Sequence, residues 1–102
     1  MIIIWSDFAI KMLKEIHNHY KTKTTKIIAD RIKNDIFSAT KQLINFSKSG
    51  TEEHALKGLN QNHRYLINGN YKIIYKLVKE GVLITDVFDT RQNPIKINNP
   101  KR

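Results

Sequence analysis

The chain has 102 residues and a mass of 12.0 kDa, which is room for one hydrophobic core and one domain. Its 18 Lys and Arg residues against 9 Asp and Glu give a net charge of +9, so the expected partners are polyanions, with nucleic acid first and an acidic protein second. It has no cysteine, which excludes disulfides and thiolate metal sites, and no apolar run long enough for a signal peptide or a membrane span, so we expect a cytoplasmic protein.

The first half of the chain predicts one strand and a pair of helices. The apolar, β-branched run 2–5 is typical of a short buried strand, and Ser6 is suited to cap the helix that follows. The apolar positions of that helix are Phe8, Met12, Leu13, Ile16 and Tyr20. Thr24 or Thr25 caps a second helix, which Gly50 terminates, with apolar positions at Ile28, Ile32, Ile36, Ala39, Leu43 and Phe46. Two amphipathic helices in succession predict a helical hairpin.

The second half of the chain changes to a period of two residues. Residues 51–62 are mostly polar and predict a loop with room for one helical turn. Runs at 63–67, 71–78 and 82–88 predict a meander of three strands, with turns at Asn68-Gly69-Asn70 and Glu80-Gly81. We therefore predict one α+β domain over residues 1–94, β-α-α-β-β-β, with the helical hairpin packed on a twisted, mostly antiparallel four-stranded sheet. Residues 95–102 form a basic tail that we expect to fray.

The length of the turn after Ile67 decides which side chains share a face of the sheet, because a shift of one residue turns one strand over. A two-residue Asn68-Gly69 turn would set Lys72 beside Tyr65 and mix charged with apolar residues. A three-residue Asn68-Gly69-Asn70 loop instead puts Tyr65, Ile67, Tyr71, Ile73, Tyr75 and Leu77 on one face, and Arg64, Leu66, Lys72, Ile74 and Lys76 on the other. We prefer the three-residue loop because it buries no charge.

Three cations come from successive strands or their ends, and this register would gather them into one concave basic site. They are Arg64, Lys72 and Arg91. Such groups would hold phosphates and stabilise the negative charge that develops in phosphoryl transfer, so we predict all three as catalytic. Lys76 extends the same face and completes the predicted nucleic-acid-binding set. A charged face that contacts only solvent is the alternative.

Acid–base candidates near this site are few. Cleavage of RNA by a 2′-hydroxyl needs a proton acceptor and a proton donor. His63 adjoins Arg64 but points to the other face of its strand, and Asp89 could instead orient Arg91 by ion pairing. Tyr71 and Tyr75 are predicted to pack in the core. No residues have the spacing of a metal or cofactor site, so we predict neither.

Three local strings, taken in order, resemble the RelE/ParE superfamily of bacterial toxins. The first is Ile4-Trp5-Ser6 with the helix after it. The second is Asn68-Gly69-Asn70-Tyr71-Lys72-Ile73-Ile74-Tyr75-Lys76, and the third is Val87-Phe88-Asp89-Thr90-Arg91-Gln92-Asn93-Pro94. The resemblance covers essentially the whole chain in the order and length of its elements.

The resemblance implies the toxin of a type II toxin–antitoxin system, neutralised by a cognate antitoxin whose acidic or amphipathic segment covers its active surface. RelE-type members are mRNA interferases, endoribonucleases that cut mRNA on the ribosome, whereas ParE-type members inhibit DNA gyrase. Arg64, Lys72 and Arg91 match the phosphate-handling positions of RelE-type toxins, although Lys72 replaces their usual Arg. Several RelE-type toxins also carry a catalytic Tyr in the tail, where this chain has Ile95 to Asn98.

Three hypotheses follow for the function. The first is a ribosome-dependent mRNA endonuclease that uses Arg64, Lys72 and Arg91. The second is a DNA gyrase inhibitor without catalysis, motivated by the missing tail Tyr. The third is a basic nucleic-acid-binding module, motivated only by the charge of +9, whose binding would weaken steeply with salt and whose expression would be harmless.

Overall fold

The computed structural model describes residues 1–99 and Arg102; Pro100 and Lys101, which belong to the predicted tail, lie outside the described residues. Strand β1 (Ile2–Trp5) leads into helices α1 (Asp7–Lys23) and α2 (Lys26–Ala39). The remaining strands are β2 (Thr51–Glu52), β3 (Arg64–Asn68), β4 (Tyr71–Val78) and β5 (Gly81–Asp89). Short 3₁₀ helices occupy Thr40–Ile44, His54–Leu59 and Pro94–Asn98.

The strands form one sheet in the order β1-β5-β4-β3-β2, with β1 parallel to β5 and the other neighbours antiparallel. The predicted α+β fold is confirmed, but the sheet has five strands rather than four. The additional strand, β2, is a pair of polar residues that join β3 through Thr51 opposite Tyr65 and Glu52 opposite Arg64. A strand this short has no periodicity by which the sequence could reveal it.

Side-chain caps begin both helices as predicted. The Ala9 N–H donates to Ser6 Oγ (3.0 Å), and the Ile28 N–H donates to Thr25 Oγ1 (3.3 Å). Within the described part of the chain, no helix is long and apolar enough to cross a membrane.

Gly50 does not terminate α2, which ends at Ala39. It is buried, its N–H donates to Tyr75 Oη (2.9 Å), and a Cβ at this position would lie 2.8 Å from the carbonyl oxygen of Tyr65. Glycine is therefore required here by close packing against β3 and β4, and the predicted role as a helix cap is wrong.

The helical hairpin packs on one side of the sheet, as predicted. We call the buried cluster between them the helix-side core; it contains Ala9, Ile36, Leu43, Leu66, Tyr71, Ile73, Tyr75, Val82, Ile84 and Val87. The other side of the sheet carries a smaller far-side core of Leu56, Ile74, Phe88 and Ile97. Two of the 3₁₀ helices supply Leu56 and Ile97, so both sides of the sheet carry apolar packing.

The predicted register of β3 against β4 is wrong. Asn68 pairs with Tyr71 across a two-residue Gly69-Asn70 turn, which sets Tyr65 opposite Ile74 and Arg64 opposite Tyr75. Because opposite residues share a face, the far side carries Tyr65, Ile67, Lys72, Ile74 and Lys76, and the helix side carries Arg64, Leu66, Tyr71, Ile73 and Tyr75. The prediction failed because it assumed that a lysine on an apolar face would lack a partner.

A bulge in β5 changes which of its residues face each side. Ile74 pairs with Asp86 and Tyr75 with Ile84, so Thr85 is the additional residue. Asp86 consequently shares the far side with Ile74. In a regular strand Asp86 would face the same side as Ile84, into the helix-side core.

The predicted tail is held to the domain where the structure describes it. Ile97 is buried in the far-side core, and the Arg102 guanidinium contacts the carboxylate of Asp86. The burial of Ile97 opposes fraying of this short basic segment, and so does the ion pair between Arg102 and Asp86.

A hydrogen bond between His17 and Asp30 joins α1 to α2. Asp30 Oδ1 lies 2.7 Å from His17 Nε2, and Lys26 Nζ donates to Asp30 Oδ2 (3.0 Å). The hydrogen bond with His17, followed by the one with Lys26, lowers the pKa of Asp30 from its usual 3.8 to about 2. Because the folded state favours the carboxylate, the pair stabilises the fold above about pH 4, and this contribution is lost as the pH falls toward 2.

We expect Asp30→Asn to be less stable than the wild type near neutral pH and the difference to shrink as the pH falls from about 4 to about 2. Urea unfolding of both proteins across this range measures it. Asp35→Asn changes an exposed carboxylate on the same helix and is the control. A stability difference that stays constant down to the acid end of the range would contradict the assignment.

Candidate functional site

Arg64 is the first residue of β3 and lies on the helix side of the sheet. Its Nη1 donates to the carbonyl oxygen of Gly50 (2.8 Å). It also borders a cavity of about 290 Å³ with Lys48, Glu52, Gln61, Asn62, Tyr75 and Leu77. Arg64 thus ties the segment before β2 to the sheet and still faces an opening.

Lys72 lies on the far side of the sheet, in contact with Glu53 and Tyr65. Its Nζ is 2.8 Å from Glu53 Oε2 and 4.2 Å from the centre of the Tyr65 ring. The Glu53 side chain is 4% exposed and that of Lys72 is 21% exposed. The charge of Lys72 is therefore already compensated by a nearly buried carboxylate. Lys76, on the same side, donates from Nζ to Gln61 Oε1 (2.8 Å).

Arg91 follows β5 and forms a bidentate ion pair with Asp89. Arg91 Nη2 lies 2.7 Å from Asp89 Oδ2, and Nε lies 2.9 Å from Oδ1. The hydrogen bond from Arg91 lowers the pKa of Asp89, and the same bond raises the pKa of the Arg91 guanidinium. The Arg91 side chain is 56% exposed, so it is the most accessible of the four predicted cations.

The structure does not bring Arg64, Lys72 and Arg91 together. Lys72 is on the far side, away from Arg64. Arg64 lies opposite Tyr75, whereas Asp89, just before Arg91, lies opposite Tyr71. Four residues of strand separate these places by about 13 Å. The prediction of one concave site containing all three is wrong, because the register on which it depended is wrong; the role of each residue stays a prediction.

A cavity of about 380 Å³ opens beside Arg91, between α1 and the ends of β4 and β5. Helix α1 contributes Lys11, Glu15 and His19, whose spacing of four residues aligns them on one face. The other lining residues are Met12, Ile16, Tyr71, Val87, Asp89, Arg91, Gln92 and Arg102. We call this the Arg91 cavity. Its cationic and imidazole side chains outnumber its carboxylates, so it suits an anionic group.

Two tyrosines meet beside the Arg91 cavity. Tyr71 Oη donates to Tyr20 Oη (3.1 Å), and the ring of His19 packs edge-on against that of Tyr20, with ring centres 5.2 Å apart. Burial of Tyr71, and then its hydrogen bond with Tyr20, raise the pKa of the Tyr71 hydroxyl. Tyr71 is therefore a protonated hydroxyl at neutral pH, able to form hydrogen bonds but not to act as a base. Its burial confirms the predicted place in the core.

His63 is buried just before β3 and does not reach the Arg91 cavity. Burial, and then the nearby charge of Lys76, lower the pKa of its imidazole. Its Nδ1 has no hydrogen-bond partner in the part of the chain that the structure describes. Across those same residues, no group of three His, Asp or Glu side chains is placed to hold a metal ion.

Sequence reasoning missed the partners that decide how accessible each cation is. Glu53 stands in a polar run that predicted only a loop, and Arg102 stands in the predicted tail. The spacing of Lys11, Glu15 and His19 was visible in the sequence. Their position across from Arg91 was not, because it depends on how α1 crosses the sheet.

Comparison with known proteins defines the family. A sequence model of the ParE toxin of type II toxin–antitoxin systems (parDE) matches residues 3–94. A solved chain of the chromosomal ParDE toxin–antitoxin system from P. aeruginosa aligns with a TM-score of 0.75 and 17% sequence identity, over 87% of this chain and 95% of that one, which shows a shared fold. No curated protein sequence matches the chain. The resemblance to the RelE/ParE superfamily is confirmed, and the chain belongs to the ParE toxin family of type II toxin–antitoxin systems.

Proposed function

We propose that this toxin arrests bacterial growth by binding DNA gyrase, without cleaving RNA, and that a cognate antitoxin neutralises it. The match to the ParE toxin family supports gyrase as the target, because ParE-type toxins inhibit it, and the dispersion of Arg64, Lys72 and Arg91 argues against the endonuclease. Electrostatic stabilisation of a phosphoryl transition state requires donors within about 3 Å of the same oxygens. Lys72 on the other side of the sheet, and Arg64 and Arg91 anchored at strand positions about 13 Å apart, do not place three donors on one phosphate in this arrangement. The proposed target implies that the toxin acts in the cytoplasm.

Neutralisation by an antitoxin is supported by charge. A net charge of +9 favours an acidic partner, and it speeds the encounter with one. The exposed guanidinium of Arg91, with Lys11 and His19 around the same cavity, offers such a partner a cationic contact.

Cleavage of mRNA on the ribosome is the second candidate, and one observation favours it. The Arg91 cavity combines a guanidinium, that of Arg91, with an exposed imidazole, that of His19. An Arg and a His at one cavity could hold a phosphate and transfer a proton. This reading uses Arg91 alone of the three predicted catalytic residues.

The test uses purified toxin in two assays. Gyrase with supercoiled DNA and stoichiometric toxin should accumulate cleaved complexes, and mRNA on translating ribosomes should stay intact. Intact gyrase activity together with cut mRNA would overturn the proposal in favour of the endonuclease. Harmless expression in bacteria, with DNA binding that falls steeply with salt, would instead indicate the nucleic-acid-binding module.

Substitutions separate binding from catalysis. In the endonuclease reading, Arg91→Ala or His19→Ala should lower cleavage by about 100-fold or more. In the proposed function Arg64→Ala, His19→Ala and the double variant Glu53→Gln/Lys72→Met retain growth arrest, and DNA synthesis falls before protein synthesis in pulse-labelled cells. Arg31→Ala removes one exposed positive charge on α2 and is the control for net charge.

A further inference from the structure

The carboxylate of Asp86 is buried on the far side of the sheet. Asp86 is 5% exposed, and the bulge at Thr85 turns it toward that side. A buried carboxylate is unfavourable without a charged partner and hydrogen bonds. A regular strand would not point this carboxylate at the far side. The bulge therefore buries a charged group at a place where it requires a partner.

The partner of Asp86 is the guanidinium of Arg102. Both terminal nitrogens of Arg102 contact the two carboxylate oxygens, with Nη2 2.8 Å from Oδ1. The guanidinium carbon lies 4.8 Å from the centre of the Phe88 ring and 5.3 Å from that of Phe8. The side chains of Arg102 and Asp86 are 14% and 7% exposed. A planar cation is thus held by a carboxylate and two aromatic rings.

We propose that Asp86, Phe8 and Phe88 form a guanidinium-binding site, the Asp86 site, whose ligand is Arg102 of this chain. The paired N–H groups of a guanidinium match a carboxylate in bidentate geometry, and its flat, weakly hydrated face suits aromatic rings. A lysine ammonium offers neither property, so the site selects arginine and not positive charge alone. The Arg102 N–H also donates to the Asn99 carbonyl oxygen (3.2 Å), which links the site to the residues after Ile97.

Occupation of the Asp86 site keeps two openings apart. Arg102 lines the Arg91 cavity, and it also lines a second cavity of about 280 Å³. The other residues of that second cavity are Phe8, Leu56, His63, Thr85, Asp86, Ile97 and Asn99. The Arg102 side chain borders both cavities. We expect Arg102→Ala to join them into one cleft along β5.

Chemical rescue tests the site without reference to toxicity. Arg102→Ala should lower the Tm by about 5 °C, since it leaves a buried carboxylate unpaired. Methylguanidinium chloride at millimolar concentration should restore at least half of that loss. Methylammonium chloride at the same concentration matches the charge and ionic strength and should restore little. Where Arg102→Ala does not fold alone, the yield of refolding with each salt is the measurement.

Two further variants test whether the Asp86 site selects a guanidinium. Arg102→Lys should remain closer to Arg102→Ala than to the wild type, and the double variant Asp86→Asn/Arg102→Ala should lose the response to methylguanidinium. Equal rescue by the two salts, or full stability in Arg102→Lys, would show a site for any cation and overturn the proposal. The measurements are the Tm and the yield of refolding, and neither depends on gyrase or the ribosome. Failure of the Asp86 site would therefore be distinct from failure of the proposed function.

Discussion

Replacing Glu53 by Ala is expected to lower the free energy of unfolding by about 3 kcal/mol, because it leaves the ammonium of Lys72 without its partner on a largely buried face. The two groups are 2.8 Å apart, and the Glu53 side chain is only 4% exposed. Glu53 Oε1 also accepts the N–H of Ala55 (3.1 Å) at the start of a 3₁₀ helix, and this bond is lost as well. Urea unfolding at neutral pH measures the change.

Two variants separate the charge of Glu53 from its shape. Glu53→Gln retains an acceptor for Ala55 but not the charge, and Glu53→Gln/Lys72→Met removes both members of the ion pair. We expect the double variant to be more stable than Glu53→Gln, since replacing a buried pair costs less than breaking it. The neighbouring exposed Glu52→Ala should change stability by no more than about 0.5 kcal/mol. A Glu53→Ala variant as stable as Glu52→Ala would mean that the pair contributes nothing.

The ion pair of Lys72 also shows why the register could not be read from the sequence. A rule that sorts charged from apolar residues is sound only if no partner is available, and Glu53 is 19 residues away in sequence. The Tyr65 ring adds a second favourable contact with the ammonium. With the contacts to Glu53 and Tyr65 in place, Lys72 and Ile74 can lie on the same face without burying an uncompensated charge. Separation of charged from apolar residues is therefore no guide to the register here.

Periodicity predicted the elements that are long enough to repeat. The spacing of Met12 and Ile16, and the alternation from Tyr71 to Val78, identified α1 and β4, and the Ser6 cap fixed where α1 begins. These signals are local, since each is set by one face of one element against the core. Strand β2 and the bulge at Thr85 are set by neighbouring strands, and no local pattern encodes them.

The geometry of the candidate site depends on how the strands pair, which is a non-local feature. Single residues of the site were therefore predictable from the sequence, but their arrangement was not. Arg91 was correctly singled out as a cation at the end of a strand, and its pairing with Asp89 was foreseen as an alternative to catalysis. The assembly of a site from Arg64, Lys72 and Arg91 required the correct face for each strand. One wrong turn length reverses β3 relative to β4, which is enough to separate these residues.

Replacing Phe88 by Ala is expected to destabilise the protein by about 3 to 5 kcal/mol, the largest effect that we predict for a single substitution. Phe88 is 1% exposed and forms the far-side core together with Ile74, Leu56 and Ile97. The loss combines the favourable burial of the ring, which is no longer gained on folding, with the cavity that the smaller side chain leaves. Phe88 also faces the Arg102 guanidinium, so the Asp86 site weakens with it.

The size and location of this effect can be checked with matched substitutions. Phe46→Ala, at a phenylalanine that is 67% exposed, should change the free energy of unfolding by no more than about 0.5 kcal/mol. Phe88→Leu retains most of the buried volume and should cost about 1.5 kcal/mol or less. If Phe88→Ala costs no more than Phe88→Leu, the far-side core collapses around the smaller residue and does not hold the Pro94–Asn98 helix in place. A loss of about 3 to 5 kcal/mol would mean that the far-side core, and not the helix-side core alone, stabilises the domain.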